Sequence, residues 1–89
     1  MTHSDIVSRV DIVAVIGSCF PLTPFGDGKF RALCPFHTEK MPSFVVDGFS
    51  RSYCCDGCGA HGDVVEFLVT WEHIGEREAI RRLTVWLNT

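Results

Sequence analysis

Cys34-Pro35-Phe36-His37 and Cys55-Asp56-Gly57-Cys58 are the two stretches that decide how this 89-residue chain folds. Each stretch places two metal-binding side chains three positions apart, and 17 residues lie between His37 and Cys55. Two ligands of one zinc ion must lie roughly 3.5 Å apart, because zinc bonds to nitrogen and sulfur are about 2.0–2.3 Å long. A turn with two intervening residues provides that separation. The spacing therefore predicts one tetrahedral site that both stretches close.

The donor set indicates the metal. Three thiolates and one imidazole suit zinc, and a filled four-ligand shell is typical of structural rather than catalytic zinc. We therefore expect one structural Zn²⁺ ion, bound by Cys34, His37, Cys55 and Cys58. Zinc binding contributes about 10–16 kcal/mol in small zinc modules, which is comparable with the whole stability of a small domain, ~5–15 kcal/mol. The metal-free chain is expected to be loosely folded.

His61 is the main alternative to His37 as the fourth ligand, because it stands three positions after Cys58. If His61 were the fourth ligand, it would crowd the single turn that already carries Cys55 and Cys58. The sequence therefore favours His37. Cys54 adjoins a predicted ligand within a strand, so its side chain is expected on the opposite face and off the metal. Cys19 is distant in sequence from both stretches and is expected in the core.

Composition and charge limit the classes of protein that remain. The chain is 46% hydrophobic and 21% charged, which is typical of a globular domain and not of a disordered one. Apolar runs of roughly 18 residues, which a bilayer span needs, do not occur. The N-terminus has no basic segment before its apolar stretch, so we expect no secretory signal and no membrane contact. In the expected cytoplasmic location thiols stay reduced, which favours metal binding over disulfides for the five cysteines.

Helices are predicted on both sides of the cysteine stretches. Apolar positions predict a helix over residues 4–16, either as one piece or as two, with Asp11 capping a second piece that ends at Gly17. Asp63 followed by Glu66 predicts a capping box, at the start of a helix that ends near His73. A last helix follows, and its predicted buried stripe is Ile80, Leu83 and Leu87.

Between the helices the sequence predicts short strands. Residues 30–33, 43–46 and 51–54 are rich in apolar and β-branched side chains, and the turn pair Asp47-Gly48 lies between the last two. We expect these three strands to form a small antiparallel sheet. Residues 20–28 contain two prolines and two glycines and are expected to be irregular.

Residues 30–44 and 53–63 closely resemble the two halves of the zinc-binding domain of DnaG-type bacterial DNA primases. Pro-Ser-Phe at 42–44 and Gly-Cys-Gly-Ala at 57–60 make the resemblance specific, and residues 10–17 and 78–83 resemble flanking helices of that family. Two residues depart from the family pattern: Cys54 stands where histidine is common, and Met41 where threonine is common.

The resemblance implies one α+β domain over residues 1–89, a small zinc-ribbon-like antiparallel sheet flanked by helices. Its parts would be a helical N-terminus at about 4–17, a zinc ribbon at about 28–60 and C-terminal helices at about 63–87. It also implies a module that binds the single-stranded DNA template and supports the initiation of RNA primer synthesis in DNA replication. The implied partners are a primase catalytic domain, in cis or in trans, and as a further candidate a replicative helicase.

The residues expected to contact DNA lie in a locally basic part of the chain. The net charge is −3, but four basic residues and only two acids occur between residues 29 and 51. Phosphate contacts depend on where charge lies rather than on its sum. The candidate DNA contacts, for phosphates, unstacked bases or base edges, are Lys29, Arg31, Lys40, Arg51, Tyr53 and His61.

A catalytic centre is not predicted within these residues, because nucleotidyl transfer needs clustered carboxylates around Mg²⁺ and the acids here are scattered. Whether the chain is part of an enzyme is therefore open: primer synthesis would need a separate catalytic domain. The alternative function is a stand-alone zinc adaptor or regulator that binds DNA without a role in priming. A third, weaker hypothesis is a protein–protein scaffold.

Overall fold

The computed structural model describes residues 1–36 and 43–88, and these form four helices and one five-stranded antiparallel sheet. Two helices precede the sheet, α1 (His3–Arg9) and α2 (Ile12–Cys19), and two follow it, α3 (Val64–Glu72) and α4 (Glu76–Leu87). The strands pair in chain order and are β1 (Thr23–Gly26), β2 (Lys29–Ala32), β3 (Phe44–Asp47), β4 (Ser52–Cys55) and β5 (His61–Gly62). The predicted α+β class is confirmed.

The N-terminal helical region consists of two helices. The Asp11 carboxylate accepts hydrogen bonds from the backbone N–H groups of Val13 and Ala14, so it caps α2 as predicted. The prediction that this helix ends at Gly17 is wrong, because α2 continues to Cys19. Gly17 lies inside the helix and does not have the positive φ of a helix-ending glycine.

The central strands are confirmed with a shift of one residue each, but the region before them was predicted wrongly. Residues 20–28 are not irregular throughout, because β1 forms there and pairs with β2. As the edge strand of the sheet, β1 tolerates Pro24, whose missing N–H costs no interior hydrogen bond. The register slips between Pro24 and Gly26, which leaves Phe25 as an extra, bulged residue.

The sheet has one buried face and one open face. Phe44, Val46, Tyr53 and Cys55 alternate onto the buried face, where the exposed fraction of each is 4% or less. On the other side, five residues are aligned in register across all five strands. We call this row the open face; it consists of Thr23, Arg31, Val45, Cys54 and His61. All of them except the half-buried Val45 are exposed to solvent.

Aromatic rings fill the space between the sheet and α3. Phe67 of α3 is fully buried, and its ring centroid lies 5.6 Å from that of Tyr53 and 5.8 Å from that of Phe36. Phe36 also packs edge-on against Phe44 at 6.1 Å. Phe36 belongs to the first cysteine stretch, so the aromatic core holds that stretch against α3.

The C-terminal helices begin and end as the sequence predicts. Asp63 and Glu66 form the expected capping box of α3, and His73 ends that helix in the left-handed conformation. In α4, Leu83 of the predicted stripe is buried, while Ile80 and Leu87 are half-buried. Within the described ranges 1–36 and 43–88, no helix has the length and apolar character needed to cross a membrane.

His3 connects the first helix to both C-terminal helices. Its Nε2 lies 2.7 Å from the Asp63 carboxylate at the start of α3, and its Nδ1 lies 3.0 Å from the Glu76 carboxylate at the start of α4. Both ring nitrogens face acceptors, so the imidazolium form satisfies both contacts. The hydrogen bond to Asp63, and then that to Glu76, raise the pKa of His3 above its ordinary value. Glu66 lies beside the same group, and Arg51 lines the adjoining surface depression.

This cluster predicts a pH dependence of stability. A raised folded-state pKa means that the contribution of His3 is complete below its unfolded pKa of about 6.5 and is lost as the pH rises through the folded value. The contribution of the His3 contacts to the free energy of unfolding should therefore fall with rising pH across this window. In His3→Gln that part of the decrease should be absent. His73→Asn, at an exposed helix end, is the control; equal pH profiles for wild type and His3→Gln would contradict the assignment.

Gly17 provides a test of the helix boundary. Alanine at an exposed helix-interior position should raise the free energy of unfolding by about 0.5–1 kcal/mol, and a Cβ there would meet only Leu22 Cδ1, at 3.9 Å. If α2 ended at Gly17, alanine would instead destabilise the chain. Denaturant unfolding of Gly17→Ala decides between these outcomes. Gly28→Ala is the opposite control, because Gly28 has φ +67° and its Cβ would lie 2.6 Å from the Phe49 ring.

Candidate metal centre

Three cysteines meet at one end of the sheet. Cys34 follows β2, Cys55 ends β4 and Cys58 lies in the next turn, and their sulfur atoms all lie within 4.8 Å of one another. The sulfurs of Cys34 and Cys58 are 3.8 Å apart. Two thiolates on one tetrahedral zinc ion, with bonds of about 2.3 Å, lie roughly 3.8 Å apart. The three thiols therefore lie close enough together to hold one zinc ion.

The turn after β4 shapes the second half of this centre. The sulfur of Cys55 accepts hydrogen bonds from the backbone N–H groups of Gly57 and Cys58. Gly59 closes the turn with a 2.8 Å hydrogen bond from its N–H to the Cys55 carbonyl, and it has φ +77°, which favours glycine. N–H groups directed at sulfur stabilise a thiolate and fix its orientation, as outer-shell groups do around metal ligands.

The thiols affect each other's pKa values. Burial raises the pKa of Cys34 to about 12; the hydrogen bond from the Phe36 N–H acts against this, and the hydrogen bonds with the Cys55 and Cys58 sulfurs contribute to it. Burial also disfavours the Cys55 thiolate, but hydrogen bonds from the Ser43 hydroxyl, the Cys58 N–H and the Cys34 thiol outweigh it and lower the pKa to about 7. The ionisation of one thiol thus disfavours the ionisation of its neighbour. A divalent cation removes this conflict, because it stabilises all the thiolates together.

The other cysteines and the alternative histidine lie away from this group. Cys54 is exposed on the open face, on the opposite side of β4 from Cys55, as predicted. Cys19 packs against the core with its sulfur 3.5 Å from the Val15 carbonyl oxygen. His61 also lies on the open face, where its Nδ1 is 3.0 Å from the Gly59 carbonyl oxygen.

Two predicted site residues, His37 and Lys40, lie outside the described residues, and both assignments remain predictions. The structure does place the residue before His37. Phe36 packs into the aromatic core, and its backbone N–H hydrogen-bonds to the Cys34 sulfur.

The remaining candidate DNA-contacting residues lie on different surfaces of the domain. Arg31 and His61 lie on the open face, and Lys29 is exposed two residues before Arg31 on β2. Arg51 is exposed in the turn between β3 and β4, with φ 56°. Tyr53 differs from its expected role, because it is 4% exposed and its ring stacks on Phe44 at 5.5 Å. A ring held in the core cannot offer its faces to bases.

The open side of the sheet exposes an aromatic residue that was not among the predicted site residues. Phe25 on β1 is 44% exposed, and the guanidinium carbon of Arg31 lies 5.5 Å from the centre of its ring. The prolines and glycines around it had indicated an irregular segment. The only available signal was that a strand at a sheet edge accepts proline.

Comparison with known proteins shows the family. A family model described as the CHC2 zinc finger matches residues 1–89. The DNA primase of Thermotoga maritima is 49% identical over 79 residues, and that of Escherichia coli K12 is 40% identical over 85 residues. These matches cover 89% and 96% of this chain but only 14% of each primase. The crystal structure of the Aquifex aeolicus primase, comprising zinc-binding and RNA polymerase domains, superposes with a TM-score of 0.89 at 33% identity, covering 96% of this chain and 21% of that one.

The geometry predicts how cysteine substitutions affect zinc content. Purified wild-type chain should carry close to one zinc ion, and Cys55→Ser should lose it and unfold, because the remaining ligands cannot fill the shell. Cys54→Ser is the matched control in the adjacent position and should keep both zinc and fold. Elemental analysis and circular dichroism measure these outcomes. Chelator competition with His37→Ala and His61→Ala identifies the fourth ligand; tighter retention of zinc in His37→Ala than in His61→Ala would exclude His37.

Proposed function

This chain belongs to the CHC2 zinc-finger family of DnaG-type primases, and on that premise we propose that it binds the single-stranded DNA template and supports the start of RNA primer synthesis. The observation that carries the proposal is the open face of the sheet. Its strands are paired and its other side is packed against helices, while the open face exposes Arg31 and His61 to solvent. An exposed surface of paired strands that carries a cation such as Arg31 suits the binding of a flexible single strand.

The cofactor of the family is one zinc ion, and we assign its ligands as Cys34, His37, Cys55 and Cys58. When bound, the ion supplies a structural cross-link and no reaction step, since four protein ligands fill its tetrahedral shell. The residue positions show what the cross-link joins. Cys34 follows β2 and Cys55 ends β4, so the ion ties the two strands that flank β3. Arg31 and His61 are then held at fixed positions on either side of β3.

The distribution of charge supports nucleic-acid binding despite the net charge of −3. Arg81 and Arg82 on α4 both hydrogen-bond to the Glu78 carboxylate, so these two cations are committed to the helical side of the domain. Lys29 and Arg31 lie on the sheet instead. Phosphates approaching the open face therefore meet Lys29 and Arg31, with the Asp47 carboxylate paired opposite Lys29, and local charge governs such contacts.

The whole primase reaction requires residues that this chain does not provide. The chain spans about one seventh of the length of the curated relatives that it matches. In the described residues, the one metal-compatible group with carboxylates is His3, Asp63 and Glu66, and its carboxylates cap α3. We propose that a polymerase domain, in cis or in trans, supplies catalysis, and that a replicative helicase is a further partner.

The proposed function predicts salt-sensitive binding of single-stranded DNA. Two phosphate contacts, by Lys29 and Arg31, correspond to a roughly sevenfold loss of affinity when salt rises from about 50 to about 200 mM. Fluorescence anisotropy of the zinc-loaded chain with a labelled oligonucleotide measures this. The Lys29→Ala, Arg31→Ala double variant should bind more weakly and with a smaller salt dependence, whereas Arg81→Ala on α4 should match wild type.

Priming itself is tested by adding the chain to a primase catalytic domain that lacks a zinc module and measuring primer synthesis. Stimulation by wild type and reduced stimulation by the double variant are expected. DNA binding without stimulation would indicate the adaptor or regulator instead, and the absence of binding at low salt would overturn the proposal.

A further inference from the structure

Phe25 owes its position to an irregularity in the sheet. Thr23 pairs with Arg31 and Pro24 pairs with Phe30, but the next pair is Gly26 with Lys29, so Phe25 has no partner of its own on β2. The bulge removes Phe25 from the regular pairing with β2, and bulges often occur where a side chain serves a site. Burial does not explain this ring, since 44% of it is exposed.

The contact with Arg31 shows which way the ring faces. The guanidinium carbon of Arg31 lies 5.5 Å from the centre of the Phe25 ring, within the range of a cation–π interaction. Arg31 belongs to the open face, so Phe25 lies on that same side of the sheet. The pair places a ring and a planar cation together beside Lys29. Phe25 and Arg31 are called the stacking pair below.

We propose that the stacking pair holds one unpaired base of the single-stranded template, with the base on the Phe25 ring and a neighbouring phosphate on Arg31. This inference rests on the proposed function and deepens it by naming the residue that contacts a base. Proteins that bind single strands combine cationic grooves with exposed aromatic rings, because every base offers a π face. The sequence had assigned this role to Tyr53, whose ring lies in the core.

Two features favour a nucleic acid over a protein as the occupant. The exposed ring lies against the Arg31 guanidinium, and Lys29 is exposed two residues away on β2; both cations complement phosphate charge. Arg31 also lines an apolar cleft of about 640 Å³. The walls of this cleft include Thr23, Leu33 and Trp71. That volume lies within the ~300–1,000 Å³ typical of small-ligand sites, so an adjacent base has room beside the stacking pair.

Phe49 provides a matched control. It is 76% exposed, and its ring lies against Gly28, where a Cβ would come within 2.6 Å. It lines a depression together with Val10 and Ile12 of the helical region, away from the open face. Both residues are exposed phenylalanines, so replacing either one by alanine removes the same ring from the surface. Only Phe25 lies beside Arg31.

The test compares two oligomers of equal length, oligothymidylate and an abasic deoxyribose-phosphate chain, each titrated against the zinc-loaded protein. Phe25→Ala should weaken oligothymidylate binding by roughly 5- to 150-fold and leave abasic binding unchanged. Phe25→Tyr should restore the affinity, and Phe49→Ala should bind both oligomers like wild type. Zinc content and circular dichroism verify that each variant is folded.

The outcomes separate this inference from the proposed function. If wild type binds neither oligomer, the proposed function fails. If wild type binds DNA and Phe25→Ala binds each oligomer as tightly as wild type does, or binds both more weakly by the same factor, the stacking pair is overturned and template binding stands. Normal DNA binding by Phe25→Ala with reduced stimulation of a catalytic domain would also overturn it, and would assign Phe25 to a protein contact.

Discussion

The link between Cys34 and the turn that carries Cys55 and Cys58 is the constraint on which the rest of the domain depends. The sulfurs of Cys34 and Cys58 stand 3.8 Å apart although 23 residues separate them in sequence. Thiolates at such distances repel one another, and the Cys55 charge adds to burial in raising the pKa of Cys34. A zinc ion converts this repulsion into a cross-link. A chain of this length has a small core, and a bound metal is a common source of the missing stability.

The cross-link and the aromatic core act on the same segment. Phe36 lies two residues after Cys34 and packs against Phe67 of α3, so the first cysteine stretch is held from the metal side and from the helix side. The strands that lead into the centre have only four residues each. Short strands do not define a fixed surface by their ladder hydrogen bonds alone. Fixing this end of the β2–β4 layer from two sides is what allows the opposite face to remain free of helices and still be ordered.

Particular residues show how much of the fold and of the metal centre could be predicted from the sequence. Ligand spacing and helix caps act over a few residues, so the cysteine centre and the Asp11 and Asp63 caps could be predicted locally. The burial of Tyr53 could also have been predicted, since strand periodicity of two places it on the side of Cys55 once Cys54 is placed opposite. The Phe25 bulge depends on how an edge strand pairs, and His3 meets Asp63 across 60 positions. Both follow only from tertiary structure.

The modest cation count of the open face fits a module that works beside a larger domain. Under the proposed function, a few phosphate contacts and one stacked base would give weak binding alone, and the net charge of −3 would weaken it further. Weak binding is sufficient when a second site on the same strand is held nearby, because tethering replaces intrinsic affinity with effective concentration. The relatives are about seven times longer than this region, which leaves ample chain for such a second site. A loosely held strand can also be repositioned, whereas a tightly bound one would obstruct movement along the template. Rigidity of the surface, supplied by the metal, and weakness of each contact are therefore compatible requirements of one module.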